Sequence, residues 1–281
     1  MATPSRHAAA DSASSHATDR GEPALPSRGH GSFLERAREF RRLYQGPEGL
    51  FWIRRVNHPA GALIALPLLH TRITPNMVTL AGVAVQLLGA LYAAFLAPPA
   101  ALWSVLVVIL LWQVAFSLDC ADGQLARARG ATSAFGAWLD QMADSVGRSA
   151  VYIALSIYLA RALTWDATIA AAFGSAAVSL ALIQTFTTWQ RVSVIGARPV
   201  GERASAPVRL MYLVRHLLDY GAFLFVAALL MLLPVALLAF LVAAAIVNAA
   251  YIAAQITLSW RSHLASARSE DGVTSDEGGR H

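Results

Sequence analysis

The chain has 281 residues, 56% of them hydrophobic and only 14% charged, whereas a soluble domain carries about 25% charge. That composition excludes an ordinary soluble domain and points to a membrane protein. All 22 basic residues are arginine and, against 17 acidic residues, they leave a net charge of +5. In a membrane protein such an excess belongs to cytoplasmic loops facing anionic lipid. No basic groove interleaved with aromatics occurs, so nucleic acid is not an expected partner. The one cysteine, Cys120, excludes an intrachain disulfide and any CxxC metal site.

Residues 1–31 are mostly Ala, Ser, His, Gly and Pro, without the charged start and apolar run of a signal peptide, and are expected to be a disordered tail. Residues 32–72 form a juxtamembrane segment. Within it Ser32 and Glu35 make a capping box. Phe33, Ala37, Phe40 and Tyr44 then recur on one face, with Arg36, Arg38, Arg41 and Arg42 as polar neighbours. Such an amphipathic helix suits either the anionic inner leaflet or packing on the cytoplasmic side of the protein. Pro59–Leu69 is apolar but too short to span, so it is expected to be re-entrant or interfacial.

Crossing about 30 Å of hydrocarbon takes about 20 apolar residues. Runs of that kind lie near Met77–Ala97, Ala100–Leu118, Ala134–Ala160, Ala167–Trp189, Leu217–Leu233 and Val235–Ile256. The third is polar over its first turns, and the fifth is short. Ten arginines precede residue 73, two follow the second run, five lie from Arg191 to Arg215, and three follow the last run. The alternate loops at Pro98–Pro99 and Pro234 have none, and the loop near Asp166 has only Arg161. This alternation implies six transmembrane helices with both termini cytoplasmic. The expected architecture is therefore an all-α membrane protein, expected in the plasma membrane, with a six-helix domain at residues 73–262 and a disordered tail at 263–281.

The informative stretch is Asp119-Cys-Ala-Asp122-Gly123-Gln-Leu-Ala126-Arg127, followed by Gly136-Ala-Trp-Leu-Asp140-Gln-Met-Ala-Asp144. Spacings of three and four put each aspartate pair on one helical face. Four carboxylates at a bilayer edge repel one another and persist together only with a cation among them. No lysine exists, and arginines 127 and 129 cannot balance them. Oxygen-only ligands suit Mg²⁺, Mn²⁺ or Ca²⁺. Two such ions, about 3.5–4 Å apart, would clamp a diphosphate. Gly123 and Gly136 allow a ligand or a helix to come close, and Arg127 can hold a phosphate oxygen. Cys120 has no histidine near it in sequence and reads as a packing residue. His58 reads as interfacial. Arg191, Arg198 and Arg203 are candidates for an acceptor's phosphate, or else charges that set the topology. Asp219, four residues after Arg215, reads as its ion-pair partner.

The stretch resembles the pattern D-x2-D-G-x2-A-R-x8-G-x3-D-x3-D of the CDP-alcohol phosphotransferases, with all eight fixed residues in register. Ile73-Thr74-Pro75-Asn76-Met77-Val78-Thr79-Leu80 resembles that family's entry to its first span, and the likeness covers about residues 50–260. The resemblance implies a metal-dependent transferase that releases CMP, using Mg²⁺ or Mn²⁺ held by Asp119, Asp122, Asp140 and Asp144. Asp144 is then the general base. Gly123, Ala126, Arg127, Ser133 and Gly136 are the expected cytidine diphosphate contacts, with Asn76 and Thr79 at the border. The implied partners are a CDP-linked donor, a polar alcohol acceptor, membrane lipid and a second copy in a homodimer, for which Ser175 and Ser179 offer a small-residue face. The expected reaction passes a phosphatidyl group from CDP-diacylglycerol to the alcohol in phospholipid biosynthesis. Arg54-Arg55-Val56-Asn57 is reminiscent of the branch that joins CDP-inositol to inositol phosphate. A metal transporter or channel would need acidic residues near the bilayer midplane of several spans; here they cluster at one edge.

Overall fold

The computed structural model describes residues 33–44, 51–193 and 219–277. Its helices are α1 (Phe33–Tyr44), α2 (His58–Leu68), α3 (Pro75–Leu91), α4 (Leu102–Ala128), α5 (Ala134–Ala162), α6 (Ala167–Ser193), α7 (Tyr220–Leu230) and α8 (Pro234–Glu277). Two π-helical turns, Ile53–Asn57 and Tyr92–Leu96, lead into α2 and prolong α3. No strand occurs among the described residues. The stretch 1–31 and the capping Ser32 lie outside them. Helix α8 runs on to Glu277, so the stretch from 263 that was expected to be disordered is helical as far as that residue.

Among the described residues four helices are long and apolar enough to cross a membrane: Pro75–Leu96, Leu102–Ala128, Ala167–Thr187 within α6, and Pro234–Thr257 within α8. The expectation of six differs at two elements. Helix α5 has 29 residues, but Asp140, Asp144 and Arg148 interrupt its apolar surface. Helix α7 has 11 residues, a rise of about 16 Å, which is short of the hydrocarbon thickness.

Side-chain caps define the helix starts that border the site. Thr74 is extended and accepts the Met77 N–H at 3.3 Å, with Pro75 in the first helical position of α3. Ser133 Oγ accepts the Gly136 N–H at 3.0 Å and opens α5. Asp219 caps α7 by accepting the Ala222 N–H at 2.9 Å, and its other oxygen takes the N–H groups of Trp52 and Ile53 at 2.7 and 3.0 Å. Three backbone donors therefore engage the carboxylate that the sequence assigned to Arg215, which lies outside the described residues.

Helix α4 packs against α2, α3 and α7, while α3 also packs on α5, α5 on α6, and α6 on α8. The larger apolar core gathers around buried Trp112, Tyr158 and Leu224. A smaller one joins Leu43 of α1 to Ala62 and Ala65 of α2 and to Ala121 and Leu125 of α4. Helix α1 thus packs on the protein through Leu43 and Phe40 and leaves Arg38, Arg41 and Tyr44 exposed. At the crossing of α2 with α4, a Cβ on Gly61 would stand 2.9 Å from the Cys120 Cβ. Only glycine permits that approach, and it makes Cys120 a packing residue. Arg129, just past α4, donates to the carbonyls of Leu68, Leu69, Thr71 and Ile73. One guanidinium thereby ties the α2–α3 connection to the end of α4, beside Thr74 and Asn76.

Candidate active site

The last turns of α4 and the first turns of α5 bring the motif together. Carboxylate oxygens of Asp119, Asp122 and Asp140 all lie within 4.8 Å of one another, with Asp122 buried and Asp140 exposed. Asp144 stands outside this group. Its Oδ2 accepts from Arg148 Nη2 at 3.0 Å, one turn further along α5. Buried Asp122 accepts the hydroxyl proton of Thr79 from α3, and the same hydroxyl reaches the Pro75 carbonyl at 3.2 Å.

Two cavities meet at these residues. One of about 420 Å³ is lined by Asp119, Asp140, Asp144, Arg148, Tyr220 and His58, among others. One of about 200 Å³ is lined by Asn76, Thr79, Ala126, Ser133, Gly136 and Ala137. Asp122, Gly123, Arg127 and Asp140 line both. Every residue that the sequence proposed for CDP thus borders the smaller cavity. A Cβ on Gly123 would stand 3.1 Å from Arg127 Nη1, so this glycine clears space for the guanidinium rather than for a neighbouring helix.

Three carboxylates this close, with no other ligand type among them, form an oxygen-only donor set that fits a hard divalent cation. Without a cation they repel one another. His58, expected at an interface, lines the larger cavity. Burial, with Arg127 as a second cause, holds its imidazole below the usual range. Arg198 and Arg203 lie outside the described residues, and Arg191 is described in its backbone only.

Sequence reasoning missed Arg148, Thr79's bond to Asp122, and Tyr220. Arg148 had a local signal, since it follows Asp144 by four. The other two had none, because their partners are 43 and 134 residues away in the chain.

Fold and site define an all-helical protein with membrane-length apolar helices and an acidic, oxygen-only centre where two of its helices meet. The chain belongs to the CDP-alcohol phosphatidyltransferase family, whose model matches residues 72–260. Phosphatidylinositol phosphate synthase of Mycolicibacterium smegmatis is 36% identical over 137 residues, 48% of this chain and 54% of that protein. Archaetidylinositol phosphate synthase of Pyrococcus horikoshii is 33% identical over 131 residues, 47% of this chain and 65% of that protein. The bifunctional IPC transferase and DIPP synthase of Aquifex aeolicus is 35% identical over 132 residues, 46% of this chain and 28% of that protein. The matched regions thus span less than two thirds of each of these relatives. Among solved structures, phosphatidylinositol phosphate synthase of Mycobacterium tuberculosis, in complex with manganese and citrate, gives a TM-score of 0.45 at 20% identity, covering 71% of this chain and 88% of that one.

Proposed function

We propose that the protein transfers a phosphatidyl group from a CDP-linked lipid donor, such as CDP-diacylglycerol, to a hydroxyl of an inositol phosphate and releases CMP. The observation that carries this reading is the convergence of Asp119, Asp122, Asp140 and Arg127 where the two cavities meet. The inositol phosphate acceptor is favoured by the names of the relatives from Mycolicibacterium smegmatis and Pyrococcus horikoshii.

The smaller cavity, with Asn76, Ser133 and Gly136, takes the cytidine diphosphate, and Arg127 holds a phosphate oxygen. Asp119, Asp122, Asp140 and Asp144 would hold Mg²⁺ or Mn²⁺ as two ions, which would supply charge to neutralise the diphosphate and make CMP a better leaving group. The acceptor enters the larger cavity, and Arg191, Arg198 and Arg203 supply its phosphate with positive charge. Its hydroxyl oxygen attacks the phosphorus distal to cytidine, and its proton passes to the Asp144 carboxylate. The new O–P bond forms as the bond to CMP breaks.

Orientation follows from the arginine alternation: six crossings in the plasma membrane, with both termini and the site cytoplasmic. The α5 helix and the run Leu217–Leu233, of which α7 is a part, are the other two crossings of that reading, and a homodimer is the expected assembly.

A second reading keeps the inositol phosphate acceptor and takes CDP-inositol as donor. It is favoured by the Aquifex aeolicus relative's name and by Arg54-Arg55-Val56-Asn57. Mass spectrometry of the products from CDP-diacylglycerol and from CDP-inositol, each offered inositol phosphate or glycerol phosphate, separates the two. A lipid phosphodiester with equimolar CMP is expected. Product from CDP-inositol alone would favour the second reading, and ion flux without CMP would point to a transporter. Full turnover in EDTA would sink the metal assignment.

A further inference from the structure

Two arginines stand at the end of α4. Arg127 lines both cavities, whereas Arg129 lines neither. The Arg129 guanidinium donates instead to four backbone carbonyls: Nε to Leu69 at 3.3 Å, Nη1 to Ile73 at 2.6 Å, and Nη2 to Thr71 at 2.9 Å and to Leu68. Among the described residues it pairs with no carboxylate.

Those carbonyls sit at both ends of the connection 69–74 between α2 and α3. Leu68 and Leu69 close α2, and the last carbonyls of a helix lack intrahelical partners and carry the negative end of its dipole. Leu68 also accepts the Thr71 N–H and hydroxyl, each at 2.9 Å. Ile73 stands at the other end, directly before the Thr74 cap of α3. A planar, forked guanidinium can bridge acceptors spread in this way, whereas an ammonium is a single compact charge.

The smaller cavity has two walls. Pro75, Asn76 and Thr79 come from the start of α3, and Arg127, Ala131, Thr132 and Ser133 from the turn between α4 and α5. Arg129 lies at the root of both. Its side chain holds Ile73, which leads into Pro75 and Asn76. Its backbone leads through Gly130, at a φ of +63°, into Ala131, Thr132 and Ser133. The walls come close together, since a Cβ on Gly136 would stand 3.2 Å from Ser133 Oγ and 3.5 Å from Asn76 Oδ1. In so narrow a space, a displacement of about 1 Å changes what a ligand can touch.

We infer that Arg129 is a positioning residue for the CDP-linked donor: bonded to both ends of the α2–α3 connection, it sets the spacing between the two walls of the smaller cavity. This rests on the reading of that cavity as the cytidine diphosphate site. Arg129 touches no substrate and acts through Asn76 and its neighbours.

The test uses the full chain in lipid nanodiscs with Mg²⁺. It reads the Kd for CDP, KM for CDP-diacylglycerol, KM for inositol phosphate and kcat. Arg129→Gln should raise the CDP Kd and the donor KM about 10–100-fold, the range for losing a group that orients site residues. The acceptor KM should stay within about twofold and kcat at saturating donor within about threefold, the signature of lost ground-state binding. Arg129→Lys keeps the charge without the fork and should recover only part of the loss. In the double variant Arg129→Gln with Asn76→Ala, the loss of CDP affinity should fall short of the product of the single losses, because one residue acts through the other.

A folded Arg129→Gln with wild-type CDP affinity and donor KM would overturn the inference. So would a fall in kcat at unchanged donor KM, an equal rise in the acceptor KM, or losses that multiply fully in the double variant. If Arg129→Gln does not fold, Arg129→Lys allows the same comparison, with donor KM again expected to rise alone. Failure of the underlying reading looks different: Asn76→Ala and Ser133→Ala would then both bind CDP as wild type does, which removes the cavity assignment and the inference with it.

Discussion

The two aspartate pairs look alike in sequence and behave differently in the fold. Asp119 and Asp122 of α4 both enter the close carboxylate group, one of them buried against Thr79. The α5 pair divides, with Asp140 joining that group and Asp144 pairing with Arg148. Helical spacing puts two carboxylates on one face in both cases. What separates the pairs is the neighbours each face meets. The α4 pair faces α3 and α5, whereas Asp144 has an arginine one turn beyond it, braced by a tyrosine from α7. Similar spacing therefore meets different neighbours on the two helices.

The largest expected effect breaks the group of three. Asp122→Asn keeps the shape but removes a charge from the buried member, so turnover should fall to background and Mg²⁺ or Mn²⁺ affinity should fall with it. Calorimetric titration of metal beside CMP release checks this. Normal metal binding in the variant would mean that Asp122 is not a ligand.

The next effect tests the division of the α5 pair. Asp144→Asn should lose turnover by about 10²–10⁴-fold, the usual worth of a general base, while keeping most of its metal-dependent donor affinity. Asp140→Asn should lose donor affinity as well. Equal losses of donor binding in the two variants would leave Asp144 as a fourth ligand rather than a distinct base.

A smaller effect is expected at Thr79, whose hydroxyl orients Asp122 from a neighbouring helix. Thr79→Val should weaken metal affinity or turnover about 10–100-fold. Since valine has a similar volume, the melting midpoint should move far less than the metal titration does. A variant that melts early but binds metal normally would make Thr79 a packing residue only.

The smallest effect concerns an acid that belongs to neither pair. Asp166 caps α6 by accepting the N–H groups of Thr168 and Ile169 at 2.6 and 3.3 Å. Those backbone bonds, with the Thr168 side chain after them, hold its carboxyl below the usual range. A lowered folded value means that the stabilisation is present above the unfolded pKa, near 3.9, and is lost as pH falls through the folded value. Asp166→Ala should therefore melt slightly earlier than wild type at pH 7, turn over normally, and differ less from wild type as the pH drops below about 4. A gap in melting midpoint that persists unchanged at low pH would mean that the cap is not the cause.

The sequence by itself determined the residue types, the register of the motif and most of the helical spans, because these follow from local periodicity and fixed spacing. Carboxylates three or four apart share a face whatever surrounds them, and apolar runs of membrane length announce themselves. The start of α3 entered only through the resemblance of Thr74-Pro75-Asn76 to a first-span entry, and the structure adds the Thr74 cap, a contact within one turn. Tertiary structure decided what each face meets. The Asp219 carboxylate binds backbone N–H groups 166 and 167 residues away, and Tyr220 bonds Gln86 across 134 residues. Contacts at such separations depend on how α3, α4, α5 and α7 pack, which no local pattern records. That packing set the Tyr220 ring against Arg148 and brought Thr79 to Asp122.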